Sequence, residues 1–220
     1  MKYFWTVISG FMLSLSMYGQ SDQPSDMQIQ AVIDACVSLR DAVADNDTFK
    51  IQKSAEELKG KDVAFFSLLQ SQDSTASSLN GHLIFHESFA EKLLTGEDVY
   101  IHSDELNHFL ESSLRGENAD GSIKTRTCFV KAGQSARYVF ASKGHQELAV
   151  VAESGGLVTM RIRVTNRDGL DVRFDDTKDV KTGRPHRQTS FDLPLNRRNT
   201  VELEVINCGI KDCSFVVISN

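Results

Sequence analysis

A short alternating segment sets the fold class of the C-terminal half: Met160-Arg161-Ile162-Arg163-Val164. Apolar and charged residues alternate here with a period of two, which is the period of a β-strand with one buried face and one solvated face. The segment Val201-Glu202-Leu203-Glu204-Val205 repeats the pattern. Because no helix-length period lies between them, these strands predict an antiparallel rather than a parallel sheet.

The same period continues over residues 122–220. Tyr138-x-Phe140 and Leu148-x-Val150 fit further strands. Turn-prone stretches separate the strands, namely Ala132-Gly133, Lys143-Gly144, Ser154-Gly155-Gly156, Asn166 to Gly169 and Lys181-Thr182-Gly183. Spacing of this kind predicts about eight strands. We therefore expect an antiparallel β-sandwich of the jelly-roll kind.

The residues before this region follow a helical period instead. Ser25-Asp26 is predicted to cap a first helix and Asn46-Asp47 a second one. The apolar run from Val63 to Leu69 fits either a helix or a strand. Small polar residues from Gly116 to Gly121 mark the expected boundary. The sequence thus predicts an α+β chain with a mainly helical domain at 20–120 and a β-sandwich domain at 121–220.

Charge divides along the chain at the same place. Residues 21–120 carry 19 acidic and 7 basic side chains, whereas residues 121–220 carry 11 acidic and 16 basic ones. The net charge of the whole chain is −6, which argues against a dedicated nucleic-acid binder. The asymmetry indicates either an interaction surface or two halves that face and neutralise each other. Two halves that neutralise each other are the simpler interpretation.

The first 19 residues have the layout of a secretory signal peptide. Lys2 supplies the positive start, an apolar run extends from Tyr3 to Leu15, and small residues lead to Gly19. The run is too short for a comfortable bilayer span, so we expect no membrane span in the mature chain. No cysteine lies near the cleavage point. The pattern predicts an exported protein, periplasmic or extracellular, that is not a lipoprotein.

The four cysteines suit an exported chain. Cys208 and Cys213 flank four residues between two strand-like runs, and a hairpin there would set them at bonding distance. Cys36 and Cys128 would then join the first helix to the first long strand. The alternative is four reduced thiols, which pack like small apolar side chains. Sequence alone does not determine connectivity.

The strand pattern of residues 122–220 resembles the bacterial pre-peptidase C-terminal domain. The positions that carry the resemblance are Tyr138-x-Phe140, Gly144, Leu148-x-Val150, Met160-x-Ile162-x-Val164, Val201-x-Leu203-x-Val205-x-Asn207 and Phe215. The resemblance implies a small secreted jelly roll that binds a substrate or matrix rather than catalysing a reaction. The helical half is similar to small exported proteins of Bacteroidetes, a likeness that implies no site.

Some members of that domain family bind calcium through clustered aspartates. The residues of this chain that could do so are Asp171, Asp175, Asp176 and Asp179. Basic residues are interspersed among them, which favours a solvated acidic loop over a calcium site. No metal site and no cofactor are therefore predicted here.

The densest basic region supplies the candidate ligand-binding residues. They are Arg184, His186, Arg187, Arg197 and Arg198. Loops that gathered them at one end of the sandwich would form a site for an acidic glycan, a phosphate or an acidic protein partner. The alternative is a set of solvated surface arginines.

Few other patterns point to chemistry. His82 and His86 are four residues apart, with Glu87 adjacent. On a helix the two histidines would share one face, a common way to hold zinc. The order differs from that of the zinc metalloproteases, where Glu directly follows the first His. Asp73-Ser74-Thr75 is similar to a Bacteroidetes O-glycosylation site. We expect a non-enzymatic binding or adhesion protein; the alternatives are a metal-dependent hydrolase and a structural subunit.

Overall fold

The computed structural model describes residues 26–59, 61, 63–66, 68–70, 123–166, 169–177 and 183–220. Two helices come first, α1 at Asp26–Ala44 and α2 at Thr48–Lys59. Two short strands follow, β1 at Val63–Phe65 and β2 at Leu69–Gln70. The apolar run that fitted either structure type therefore contains two strands.

Eight longer strands make up most of the remaining described residues. They are β3 (Ile123–Val130), β4 (Ser135–Ser142), β5 (Gly144–Ala152), β6 (Val158–Asn166), β7 (Gly169–Asp175), β8 (His186–Leu193), β9 (Asn199–Asn207) and β10 (Cys213–Ser219). Gly133, Gly155 and Gly169 have φ values of 68°, 79° and 122°, in the left-handed region that glycine adopts readily. Three of the predicted turn stretches therefore include a glycine in this conformation.

The strands form two sheets. Sheet 1 has the order β1-β3-β10-β5-β8, and sheet 2 has the order β2-β4-β9-β6-β7. Neighbours are antiparallel except β1, which lies parallel to β3. The predicted fold class, helices followed by an antiparallel β-sandwich of the jelly-roll kind, is confirmed.

The interior between the sheets is built from alternate strand positions. Six residues of the two alternating segments are fully buried there: Met160, Ile162, Val164, Val201, Leu203 and Val205. Their charged neighbours lie on the outer face of sheet 2. On this face Glu204 forms ion pairs with Arg161 at 3.0 Å and with Arg137 at 3.2 Å. Glu204 is 5% exposed. The period-two pattern thus separates an apolar interior from a paired, charged face.

Helix α1 covers the outer face of sheet 1. Ile29, Ile33 and Leu39 of α1 share a buried cluster with Val151 of β5 and Ile218 of β10. Sheet 1 is therefore buried on both faces, and every residue of β10 is buried. This explains why β10 is a nearly continuous apolar run rather than an alternating one.

The N-terminus of α2 has the predicted cap. The Lys50 amide donates to Asp47 Oδ1 at 3.1 Å, which satisfies one of the unpaired donors of the first turn. This backbone hydrogen bond, together with the Lys50 ammonium, lowers the pKa of Asp47. Asn46 has a φ of 51° and closes the turn between the helices.

Several predictions lie outside the described residues. They concern the signal peptide at 1–19, the hydrolase candidates His82, His86 and Glu87, and Asp73-Ser74-Thr75. The proposed domain boundary near residue 120 also falls outside them. Neither described helix combines the length and apolar character that crossing a bilayer requires.

The predicted disulfides are wrong. All four cysteines lie within the described residues, and each is a free thiol. The connection between Cys208 and Cys213 is not a hairpin, because it leaves β9 in sheet 2 and enters β10 in sheet 1. Cys36 packs on the outer face of sheet 1 and Cys128 on its inner face, so the sheet itself separates them.

A buried asparagine shapes this crossing. Asn207 Nδ2 donates to the carbonyl oxygens of Val130 at 3.2 Å and Lys211 at 2.7 Å, and Asn207 Oδ1 accepts from the Gly209 amide at 2.8 Å. These bonds satisfy backbone groups where the chain passes between the sheets. They take the place of the ladder that a hairpin would have supplied.

Candidate ligand-binding site

The five predicted basic residues lie at two ends of one strand. Arg184 and His186 stand at the start of β8 and Arg187 follows within it, whereas Arg197 and Arg198 come after its end. At about 3.3 Å per residue, an eight-residue strand separates these groups by roughly 25 Å. The structure therefore brings Arg197 and Arg198 together and does not bring all five into one site.

Arg187 has a structural partner. It lies opposite Val150 in the β5–β8 ladder, and Val150 faces the interior, so Arg187 also points inward. Its guanidinium forms an ion pair with Asp176, whose Oδ1 accepts from the Met160 amide at 2.5 Å. This ion pair connects the edge of sheet 1 to the loop after β7 in sheet 2.

The other two residues at this end are exposed. The backbone of Arg184 exchanges two hydrogen bonds with Val158, at 2.8 Å and 3.1 Å, while its side chain faces solvent. His186 lies opposite Val151 and is also exposed. This end therefore presents basic side chains on a surface held by backbone pairing.

Arg197 and Arg198 line a cavity in the turn between β8 and β9. Its lining residues are Thr165, Asn166, Asn196, Arg197, Arg198, Asn199 and Thr200, and its volume is about 540 Å³. Small-molecule sites commonly span about 300–1,000 Å³. The residues from β6 reach the site because β6 and β9 are antiparallel, with Thr165 directly opposite Thr200. We name this site the Arg197–Arg198 cavity.

Each of the seven described residues that line the Arg197–Arg198 cavity has a polar side chain. Two of the seven are cationic guanidinium groups, and none of the seven is a carboxylate. Arg197 is partly buried in the turn, whereas Arg198 is exposed. A concave surface whose described charged side chains are both cationic favours anions.

Asn199 is the buried polar residue of this cavity. Its side chain is 3% exposed, and Nδ2 donates to the Arg197 carbonyl oxygen at 3.3 Å. Asn199 Oδ1 is buried, and no hydrogen bond reaches it from the part of the chain that the structure describes. A buried acceptor of this kind is uncommon in folded proteins.

The sequence interpretation found the two arginines but not the other five lining residues. Asn196 and Asn199 flank the arginines directly, so a polar turn between two strands was a usable signal. Thr165 and Asn166 lie more than 30 positions earlier in the sequence. Only the β6–β9 register brings them to the site.

The aspartates of the calcium prediction have arginine partners. Asp171 pairs with Arg173 at 3.1 Å and Asp175 with Arg161 at 3.1 Å, while Asp176 pairs with Arg187. Asp179 lies outside the described residues. Among the residues that the structure describes, no group of three or more His, Cys, Asp or Glu side chains is placed to hold a metal ion.

Comparisons with known proteins give no family and only weak structural likenesses. No family model and no curated protein matches the chain. The Yersinia pseudotuberculosis-derived mitogen is similar at 10% identity over 45% of this chain and 85% of its own, with a TM-score of 0.34. TmCBM61, solved with β-1,4-galactotriose, is similar at 10% identity over 44% and 81%, with a TM-score of 0.28.

A third likeness is to Salmonella Typhimurium PliG, a periplasmic inhibitor of g-type lysozyme. The identity is 14% over 44% of this chain and 89% of that one, with a TM-score of 0.26. The β-sandwich implied by the pre-peptidase C-terminal resemblance is present. Membership of that family stays a prediction, because no family model matches.

Proposed function

We propose that this chain is an exported, non-enzymatic binding protein that holds an acidic glycan in the Arg197–Arg198 cavity. The observation that carries the proposal is a concave site in which the seven described lining residues are polar and include two arginines and no carboxylate. The planar guanidinium group matches a carboxylate with two parallel hydrogen bonds. Two such groups side by side suit a ligand that carries negative charge.

The lining chemistry supports binding rather than catalysis. The described lining residues are all arginine, asparagine or threonine. General acid–base catalysis at neutral pH is usually performed by His, Asp, Glu, Lys, Tyr or Cys, and none of the described lining residues is of these types. The amides and hydroxyls offer donors and acceptors, which orient a polar ligand without reacting with it.

The N-terminal segment supports export. A positive start, an apolar run and small residues up to Gly19 are typical of a signal peptide. N-terminal sequencing of the protein secreted by an expressing bacterium tests this directly. We expect the mature chain to begin between residues 17 and 20; material from the cytosol that still begins at Met1 would contradict export.

Calorimetric titration with acidic polysaccharides tests the binding proposal. The double variant Arg197→Gln/Arg198→Gln removes both charges and keeps the side chains polar. Hydrogen bonds to charged groups contribute about 1.5–3 kcal/mol each, so the affinity is expected to fall at least about tenfold. Added salt is expected to weaken binding to the unaltered protein.

The chain itself offers a matched control. Arg184→Gln/His186→Gln also removes basic character from the sandwich, but at the other end of β8, where both side chains are exposed. This variant is expected to bind as the unaltered protein does. Equal affinity of both double variants for every acidic polysaccharide would remove the Arg197–Arg198 cavity as the site.

A further inference from the structure

We propose that two copies of this chain associate through β7, which pairs antiparallel with β7 of the second copy about a two-fold axis at Val172. Of the strands that the structure describes, only β6 pairs with β7, so β7 is an edge of sheet 2. An edge strand has backbone donors and acceptors on its outer side that can pair with another strand. The proposal is independent of ligand binding in the Arg197–Arg198 cavity.

Strand β7 exposes apolar side chains along this edge. Every residue from Gly169 to Arg173 is exposed. Leu170 is 63% exposed and Val172 is 51% exposed, and they lie opposite Thr165 and Arg163 on the outer face of sheet 2. Exposed apolar side chains on a sheet edge favour association, because pairing removes them from water.

The backbone of β7 is oriented for this pairing. Two residues connect Asn166 to Gly169, and these two lie opposite each other at the end of the β6–β7 ladder. The residues that flank so short a connection hydrogen-bond to each other, and the pairs of an antiparallel ladder alternate from there. Leu170 and Val172 therefore turn their amide and carbonyl groups away from β6, towards the edge of the sheet.

The charges of β7 are complementary to themselves in one register. With the axis at Val172, Asp171 lies opposite Arg173 of the second copy, and Arg173 lies opposite its Asp171. The two side chains share one side of the strand, because they form an ion pair within the chain at 3.1 Å. An axis at Asp171 or at Arg173 would set like charges opposite each other, which destabilises a strand pair. Charge therefore selects the register centred on Val172.

Apolar side chains meet at the same axis. Val172 lies opposite Val172 of the second copy, and Leu170 lies diagonal to it on the same face. The register of the β6–β7 ladder shifts between Ile162 and Arg163, so the regular stretch of β7 is short. A short contact of this kind predicts a reversible dimer, with a dissociation constant of about 10–100 µM. Because two-fold pairing is closed, the assembly stops at two copies.

Sedimentation velocity of the mature chain tests the dimer. Between about 1 and 300 µM, the unaltered protein is expected to shift from monomer to dimer. Asp171→Arg and Arg173→Asp each set like charges opposite each other, so each is expected to weaken association at least about tenfold. Asp34→Arg reverses an exposed charge on α1, which covers the other sheet, and is the matched control. It is expected to dimerise as the unaltered protein does.

A mixture of the two single variants distinguishes this pairing from any other interface. In the mixed dimer, the arginine introduced at position 171 faces the aspartate introduced at position 173, and the native Arg173 faces the native Asp171. Every facing pair is then again opposite in charge. We therefore expect the equimolar mixture of Asp171→Arg and Arg173→Asp to dimerise, although neither variant does so alone.

Three results would overturn the proposal. The first is an unaltered protein that stays monomeric at about 300 µM. The second is a dimer that persists in both single variants, since it would form through another interface. The third is a mixture that does not associate although circular dichroism shows both variants to be folded, because the facing charges at Val172 would then be absent.

Discussion

The thiols of Cys36, Cys128 and Cys213 lie in apolar surroundings that keep them protonated. Burial raises the pKa of each to about 12. The reactive species of cysteine is the thiolate, so these three thiols are unreactive at neutral pH. Cys208 is half-buried, with Sγ 3.6 Å from Thr159 Oγ1, and is the accessible member of the set.

The difference in exposure between Cys208 and the other three thiols predicts a stepwise thiol titration. In the native protein, a disulfide-exchange reagent is expected to modify Cys208 rapidly, and unfolding is expected to release all four thiols. Cys208→Ser removes the rapid phase because the remaining thiols are buried. Absorbance of the released chromophore measures both phases. Fewer than four thiols in unfolded, non-reduced protein would show that disulfides form after all.

Asp175 makes stability depend on acid pH. The Thr177 hydroxyl and the Thr177 amide donate to Asp175 Oδ1 at 2.6 Å and 3.0 Å, and Arg161 lies beside it. These contacts lower the pKa of Asp175 below its ordinary 3.8, with the Thr177 hydroxyl as the largest cause. The stabilisation is therefore complete above pH 3.8 and is lost as the pH falls through the lowered value.

A variant series measures this contribution. Asp175→Asn and Thr177→Val are expected to lower the thermal midpoint at neutral pH, because each removes the stabilised carboxylate or its donor. The difference in thermal midpoint between each variant and the unaltered protein is expected to shrink as the pH falls below 3.8, where the Asp175 carboxylate takes up a proton. A gap that stays constant through acid pH contradicts this assignment. Exposed Asp192 gives the control variant Asp192→Asn.

At the scale of elements, the outer faces of the two sheets carry different kinds of side chain. The outer face of sheet 2 bears charged side chains that pair across β4, β9 and β6. The outer face of sheet 1 bears apolar side chains, and α1 covers them. An apolar sheet face needs such a cover because exposed apolar area is costly in water. Helix α1 is therefore part of the core of the fold.

Shortening a buried side chain of α1 tests whether the helix belongs to the core. Leu39 is 1% exposed within the α1–sheet 1 cluster. Leu39→Ala is expected to lower the free energy of unfolding by about 2–5 kcal/mol, through lost burial and the cavity it leaves. Val37→Ala, at a half-buried position of the same helix, is expected to cost less. Urea titration measures both, and equal small effects would show that the helix is not tightly packed.

Over the whole molecule, the N-terminal helices and the sandwich share buried residues. Strands β1 and β2 add an edge to each sheet, and both precede the predicted boundary near residue 120. Sheet 1 contributes one face to the interior core and the other to the helix cluster. Loss of the interior core or of the helix cluster therefore exposes one face of the strands of sheet 1.

This sharing predicts one cooperative unfolding transition. Helix content, followed by far-ultraviolet circular dichroism, and exposure of the interior thiol Cys128, followed by mass spectrometry after alkylation, are expected to change with the same midpoint. Clearly separated midpoints would show that the helices unfold before the sandwich. Leu39→Ala is expected to shift both midpoints together, which a helix that unfolds independently would not do.

By itself the sequence determined what local periodicity and local chemistry can express. The alternation at Met160–Val164 gave the strands, the glycines gave the turns, and Asp47 gave a helix cap. These features depend on residues a few positions apart, so they can be read along the chain.

Tertiary structure alone decided which distant segments meet. It placed β9 and β10 in different sheets and so separated Cys208 from a hairpin partner. It also brought Thr165 and Asn166 beside Arg197 while leaving Arg184 at the far end of β8. Strand order and register follow from the packing of whole sheets, because many pairings satisfy the same alternating pattern and only the assembled core selects among them.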